Sequence, residues 1–390
     1  MNILIVKLSA IGDVIHTLPS LSMLRRCWPD ATISWVVEEA ASDLLRDHPD
    51  LDRLIVSRRK QWLAELKKGM IAKPLREMGA FLRELRGQQY DIVIDFHGLF
   101  KSALIVLLSG GRRKLGYKSL QEGSALFYNE KIPEDMKKHA VDRYLDFVQY
   151  LAAKENMNCI EETPAFRIAI GEKEEKRIDD ILVEDSASFF FSRWKSNSPG
   201  QPGHPDDADN MNNRNAEQRS MPPFIAVSPV AFWQTKLWED GKFARLCDRI
   251  QNELQTGIVM TGEKAERIGQ IQKLMKTKTV NLGGKTSLRE LAALYRRAAL
   301  LVTTDSGPMH LAAAVGTPVI ALFGPTDPSR TGPYGPDHRI IRKRLPCSPC
   351  FRKQCPDPRC MTEISVEEVF SAVRDMFNKK RAWKMTQKGS

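Results

Sequence analysis

No stretch of this 390-residue chain approaches the length of a membrane-spanning helix; the most apolar run, residues 103–108, is short and follows Lys101. The first residues, Met1-Asn2-Ile3-Leu4-Ile5-Val6-Lys7, hold neither a basic leader nor a small-residue cleavage site. They read as a buried strand and not as a signal peptide, so the expected location is cytoplasmic. The Gly-x-Gly-x-x-Gly turn is missing, which argues against a standard NAD site. Acidic residues are in deficit: 48 against 59 Lys plus Arg, a net charge of +11. That surplus points to an anionic partner, either a phosphorylated substrate or an acidic membrane face. Nucleic acid, the third possibility, lacks any recognised motif and is not expected. No internal repeat of short period is present.

What is present is apolar material for two cores, with hydrophobic residues at 42%. Short β-branched runs at 3–7, 33–38, 51–56 and 92–96 alternate with helical patterns at 14–26 and 40–47. The same alternation resumes with strands at 224–228, 257–261, 300–304 and 318–323. Helices are expected at 243–253, 265–275, 288–298 and 309–315. Apolar strands separated by helices indicate an α/β fold of parallel, doubly wound sheets. Between the two series, residues 184–223 are rich in Ser, Pro, Asn, Asp and Gly and poor in apolar residues, as expected of a flexible insertion. The expected division is a first domain over 1–183, this insertion, a second domain over 224–364, and a last helix over 365–390 with Ser365 as N-cap. Two such domains place a site in the cleft between them, at the carboxyl ends of the strands.

Several turns carry candidate chemistry. Asp13, in Ser9-Ala10-Ile11-Gly12-Asp13, sits where a strand gives way to a helix. Its carboxylate either takes a proton from an attacking hydroxyl or caps the helix. In Thr303-Thr304-Asp305-Ser306-Gly307-Pro308-Met309-His310, amides at a helix N-terminus would form an anion site suited to a diphosphate. There Asp305 or Ser306 would otherwise be an ordinary cap, and His310 an ordinary structural histidine. Lys236 follows a strand and is either a charge-neutralising group for a leaving phosphate or a solvated surface lysine. Thr261-Gly262-Glu263-Lys264-Ala265-Glu266 follows the next strand; Glu266 either receives sugar hydroxyls or steadies the helix dipole. Arg58, Arg59 and Lys60, with Lys101, His139 and Arg143, form a basic set suited to a phosphorylated, carboxylated ligand, or a solvated charge run.

There are seven cysteines. Cys27, Cys159 and Cys247 are scattered and read as reduced core residues. Cys347-x2-Cys350-x4-Cys355-x4-Cys360 leaves open a structural zinc, free thiols or a redox-sensitive clip.

Taken together, the motifs resemble glycosyltransferase family 9, the ADP-heptose:lipopolysaccharide heptosyltransferases. Thr303-x-Asp305-Ser306-Gly307-Pro308-x-His310-Leu311-Ala312-Ala313-Ala314-x-Gly316-Thr317-Pro318 and Leu322-Phe323-Gly324-Pro325-Thr326-Asp327-Pro328 carry the resemblance, as does the opening Lys7-x4-Gly12-Asp13-Val14-x-His16-Thr17-Leu18-Pro19. Trp35-Val36-Val37-Glu38-Glu39, Tyr90-Asp91-x-Val93-Ile94-Asp95, Gly98-Leu99-x-Lys101-Ser102 and Leu126-Phe127-Tyr128-Asn129 are similar to heptosyltransferase I in particular. The resemblance implies a GT-B fold, two Rossmann-like domains facing a central cleft, and an inverting transfer that needs no metal or other cofactor. It implies Asp13 as the base and Lys236 as the stabiliser of departing ADP. It implies Thr261, Gly262, Glu266, Asp305, Ser306, Gly307 and His310 around an ADP-heptose donor. Arg58, Arg59, Lys60, Lys101 and Arg143 would meet a Kdo-lipid A or inner-core acceptor, and the last helix would return to the first domain. Heptosyltransferases II and III, acting on a later core heptose, and a nucleotide-sugar-binding protein without transferase activity are the alternatives.

Overall fold

The computed structural model describes residues 1–119, 121–157, 163–184 and 223–388. The expected insertion therefore lies outside the described residues apart from its two ends. The chain divides into two compact units: Met1–Ile170 with Ser287–Arg289 and Asp327–Tyr334, and Gly171–Thr286 with Glu290–Thr326 and Gly335–Ser390.

In the first unit β1 (Asn2–Val6), β2 (Thr32–Glu38), β3 (Arg53–Ser57), β4 (Ile92–Asp95), β5 (Arg113–Tyr117) and β6 (Glu130–Ile132) form one parallel sheet. The strand order is β3-β2-β1-β4-β5-β6. Strands with helices on both faces have no solvent side, which is why β1 reads as an unbroken apolar run. Alternate side chains of β1 face opposite ways: Leu4 and Val6 join a core with Trp62, Phe81, Leu85 and Val106. Those four belong to the helices Arg59–Lys67, Ala72–Leu85 and Phe100–Leu108. The helices Ile11–Cys27 and Ala140–Lys154 pack against each other. Trp35, wholly buried on β2, satisfies its indole N–H by donating to the Lys7 carbonyl at 3.1 Å.

In the second unit β7 (Phe224–Ser228), β8 (Gly257–Met260), β9 (Val280–Asn281), β10 (Leu300–Thr304), β11 (Val319–Phe323) and β12 (Arg339–Arg342) form a second parallel sheet. Its order is β12-β11-β10-β7-β8-β9. Ile225, Val227, Phe243, Met260, Val302 and Leu322 build its core with Phe370, Val373 and Phe377 of the helix Val366–Lys388. Burying side chains of that size stabilises by about 1.5–3 kcal/mol each. The side chains after residue 380 lie outside the described set, and so does the expected return of this helix to the first domain. The helix Glu172–Glu184 belongs to the second unit, where Arg297 pairs with Asp179 at 2.6 Å.

Counted from their own first strand, both sheets follow the same doubly wound order. The order reverses between β1 and β4 in one and between β7 and β10 in the other. In such sheets the crevice for ligands opens beyond the carboxyl ends of those central strands.

Candidate active site

In the second unit, β10 ends at Thr304 and the helix Gly307–Ala314 begins three residues later. Ser306 holds the N-cap position with extended backbone, but its hydroxyl turns back to the Thr304 carbonyl at 3.2 Å, and no side chain caps the helix. Asp305 is engaged elsewhere. Its Oδ2 accepts from Lys236 Nζ at 2.6 Å and from Thr326 Oγ1 at 2.6 Å, with the residue only 6% exposed. The capping reading of Asp305 and Ser306 therefore fails, and the first amides of this helix are left without a side-chain partner. The helix also starts two residues earlier than its apolar pattern indicates, because Pro308 suits the first turn. His310 is buried one turn further on.

Lys236 comes from the short turn Gln234–Lys236 after β7, with its ammonium 4.5 Å from the centre of the Trp233 ring. The two turns meet because their strands are neighbours: Thr303 Oγ1 donates to the Ser228 carbonyl at 3.0 Å. Beyond β8, Thr261 is buried and its hydroxyl shares a 2.8 Å hydrogen bond with Tyr295, so its side chain is structural here. Gly262 has φ of 144°, and a Cβ there would come within 2.5 Å of Val230 Cγ2. Only glycine lets this turn pass so close. Glu266 is exposed in the first turn of the helix Ala265–Leu274.

In the first unit, Asp13 lies half-buried in the first turn of the helix Ile11–Cys27, and its Oδ2 accepts from the Ala10 amide at 3.2 Å. The capping reading is thus real, and the carboxylate keeps its place at the end of β1. Lys101, in the helix Phe100–Leu108 that follows β4, reaches Ser9 Oγ at 3.4 Å, so the segments that follow β1 and β4 touch. Burial lowers the pKa of the Lys101 ammonium, opposed by Glu38. Lys7 is buried at the end of β1, donating to the Phe96 carbonyl at 2.8 Å and the Tyr144 hydroxyl at 2.6 Å. Burial pulls its pKa down, while Asp13 and Asp95 push it up. His97, beside it, is pushed down to about 2 by burial and then by the Lys7 and Lys101 charges. It is neutral at any working pH.

Four of the expected basic residues are ion-paired and not merely solvated. Arg58 meets Glu39 at 3.0 Å, Arg59 and Lys60 meet Glu38 at 3.1 and 2.9 Å, and Arg143 meets Glu134 at 2.6 Å. Glu38 is buried, which raises its pKa, but hydrogen bonds from Lys60 and Arg59 outweigh this and leave it lowered. A buried carboxylate requires such partners. His139 caps the helix Ala140–Lys154, accepting from the Val141 amide at 3.2 Å.

Cys27 is disulfide-bonded, which corrects the expectation of a reduced core thiol. Cys247, Cys347, Cys350, Cys355 and Cys360 are free. Among the described residues no group of three or more ligand-type side chains is arranged to hold a metal ion.

Lys7, His97, Trp233 and Thr326 are the site residues that sequence reasoning missed. A charged residue closing the apolar run of β1 was the one available signal, at Lys7.

The model of "Glycosyltransferase family 9 (heptosyltransferase)" matches residues 78–360. The chain belongs to glycosyltransferase family 9. This family 9 chain is 27% identical over 358 residues to lipopolysaccharide heptosyltransferase 1 of Pseudomonas aeruginosa, covering 91% of this chain and 87% of the relative. It is 24% identical to lipopolysaccharide heptosyltransferase 3 of Escherichia coli K12, covering 81% and 80%. The crystal structure of the E. coli heptosyltransferase WaaC with ADP has the same fold, with a TM-score of 0.72 at 23% identity, covering 96% and 100%. The family 9 enzyme is therefore a glycosyltransferase of the GT-B fold, with two Rossmann-like units.

Proposed function

We propose that this enzyme transfers heptose, with inversion, from ADP-L-glycero-D-manno-heptose to the Kdo of the lipopolysaccharide inner core. The observation that supports this best is the Lys236–Asp305 pair beside the uncapped start of the helix Gly307–Ala314. A fixed cation next to a helix N-terminus that no side chain caps suits a diphosphate in the bound state and the extra charge it gains on leaving. Asp305, Ser306, Gly307 and His310 hold the donor's diphosphate and heptose, Gly262 and the Thr261 backbone let the nucleotide approach, and Glu266 receives its ribose.

In the reaction the acceptor hydroxyl oxygen bonds to the anomeric carbon as the bond from that carbon to the β-phosphate oxygen breaks. The hydroxyl proton passes to Asp13, and the bonding pair leaves with ADP. Arg58, Arg59, Lys60 and Arg143 receive the acid groups of the acceptor by exchanging their present carboxylate partners, and Lys101 joins them from its contact with Ser9.

Relatives named for heptose positions 1 and 3 both align along the chain, so the acceptor is the part to test. ADP release from ADP-heptose is measured with a panel of truncated lipopolysaccharide acceptors, with products read by mass spectrometry. Transfer to an acceptor ending in Kdo, undiminished by excess EDTA, is the expected result. Transfer only to acceptors that already carry heptose assigns a later position. Binding of the donor with no release on any acceptor leaves a nucleotide-sugar-binding protein.

We also propose that the enzyme works at an anionic membrane face. Among the described residues no helix is long and apolar enough to cross a membrane. Phe100, Leu104 and Leu107 nevertheless stand exposed on one helix, and Leu126 is 80% exposed on the element packed beside it. The helices Arg59–Lys67 and Ala72–Leu85 of the same unit carry exposed Lys67, Arg76 and Arg83, with Lys68 exposed just beyond the first.

A further inference from the structure

The segment 345–360, which carries the four clustered cysteines, grips the donor-site residues from two sides. On one side the Arg352 carbonyl accepts from Thr235 Oγ1 at 2.8 Å. Thr235 is 5% exposed and is the immediate neighbour of Lys236, and the Lys353 ammonium lies 5.6 Å from the centre of the Trp233 ring. On the other side the amides of Cys350 and Phe351 both donate to the Pro325 carbonyl, at 3.0 and 2.8 Å. Pro325 is the immediate neighbour of Thr326, whose hydroxyl holds Asp305.

The same segment is fastened at both ends to one residue. Ser348 Oγ donates to the Gly324 carbonyl at 2.6 Å, and a Cβ at Gly324 would lie 2.7 Å from Met361 and 3.1 Å from Cys360 Sγ. Glycine is required there for the chain to pack so closely. Phe351 adopts φ of 55°, an uncommon conformation for an aromatic residue, and this bend aims two successive amides at one carbonyl.

We propose that this segment is a clamp that sets the separation of Lys236 and Asp305 for a nucleoside diphosphate, with Thr235 and Phe351 as its positioning residues. Neither residue touches the reacting atoms: Thr235 fixes the backbone next to Lys236, and Phe351 fixes Pro325, next to the Thr326 that holds Asp305. Supports of this kind hold a charged pair in the geometry its ligand needs. The proposal rests on the donor role given to Lys236 above, and its test uses ADP alone so that the two can fail separately.

ADP affinity is measured by calorimetry on the full chain, alongside thermal melting and the kinetics of transfer. Thr235→Val keeps the volume and removes the hydrogen bond. It should weaken ADP binding about tenfold and lower kcat, with the acceptor KM and the melting temperature close to wild type. Thr235→Ser, which keeps the hydroxyl, should restore both. Phe351→Pro removes one gripping amide and forbids the positive φ, so it should also weaken ADP, while Phe351→Gly should not. Wild-type affinity in both Thr235→Val and Phe351→Pro overturns the clamp, as does a Thr235→Ser variant as impaired as the valine one. A wild-type enzyme that binds ADP, loses it in Thr235→Val, and yet transfers heptose to no acceptor upholds the clamp and overturns the proposed reaction.

Discussion

At the scale of single residues, Asp13 and His97 separate chemistry from packing. Asparagine at position 13 can still accept the Ala10 amide, so Asp13→Asn preserves the helix start and loses only the basic carboxylate. Transfer should fall by about 10²–10⁴-fold with ADP affinity unchanged, measured by ADP release and calorimetry. Turnover near wild type would remove Asp13 from the role of base. His97 is buried neutral with a pKa of about 2, against 6.5 in the unfolded chain. The unfolded chain therefore takes up a proton on this ring that the native chain refuses. Its contribution to stability is complete above about pH 6.5 and is lost progressively as pH falls toward 2. Urea midpoints across that window should decline less steeply in His97→Gln than in wild type; parallel curves would show that His97 is not responsible.

At the scale of elements, the helix Val366–Lys388 opens with a closed capping box. Ser365 Oγ accepts from the Glu368 amide at 3.2 Å, and Glu368 accepts from the Ser365 amide at 2.8 Å. Ser365→Ala should cost about 1 kcal/mol, read as a lower urea midpoint with an unchanged slope. That cap was legible in the sequence, as were the central strands β1, β2, β4, β7, β8, β10 and β11, because strands covered on both faces are continuously apolar. Four strands went unread, and three of them, β6, β9 and β12, are sheet edges. β6 and β12 carry Glu130, Lys131, Arg339 and Arg342; β5 beside β6 begins with Arg113 and Lys114; and β9 has two residues. Edge strands tolerate charge, so their hydrophobic pattern is weak.

The turns of the site were equally legible, since each lies next to a readable strand. Their pairings were not. Lys236 with Asp305, and Asp305 with Thr326, join residues far apart in sequence, and only the sheet order brings them together. The partners of Arg58, Arg59, Lys60 and Arg143 were hidden because their acids come from other elements of the fold, Glu38 from the end of β2, Glu39 from just after it and Glu134 from beyond β6.

At the scale of the whole molecule, the proposed membrane contact joins the charge of +11 to the exposed apolar side chains on the helix Phe100–Leu108. The enzyme should co-sediment with vesicles containing anionic phospholipid and stay in solution with vesicles of neutral lipid. Leu104→Glu/Leu107→Glu should abolish co-sedimentation while leaving transfer to a soluble, delipidated acceptor within about twofold of wild type. Equal sedimentation of wild type and variant would remove the helix from the membrane contact.

On the proposed reaction, each sheet, with its own reversal of strand order, supplies a complete pair of loops for one reactant without borrowing strands from the other. An enzyme organised in this way can exchange one specificity and keep its partner intact. Grafting the turns after β1 and β4 from a relative with another sugar acceptor should redirect what is glycosylated, while the same activated heptose continues to be consumed.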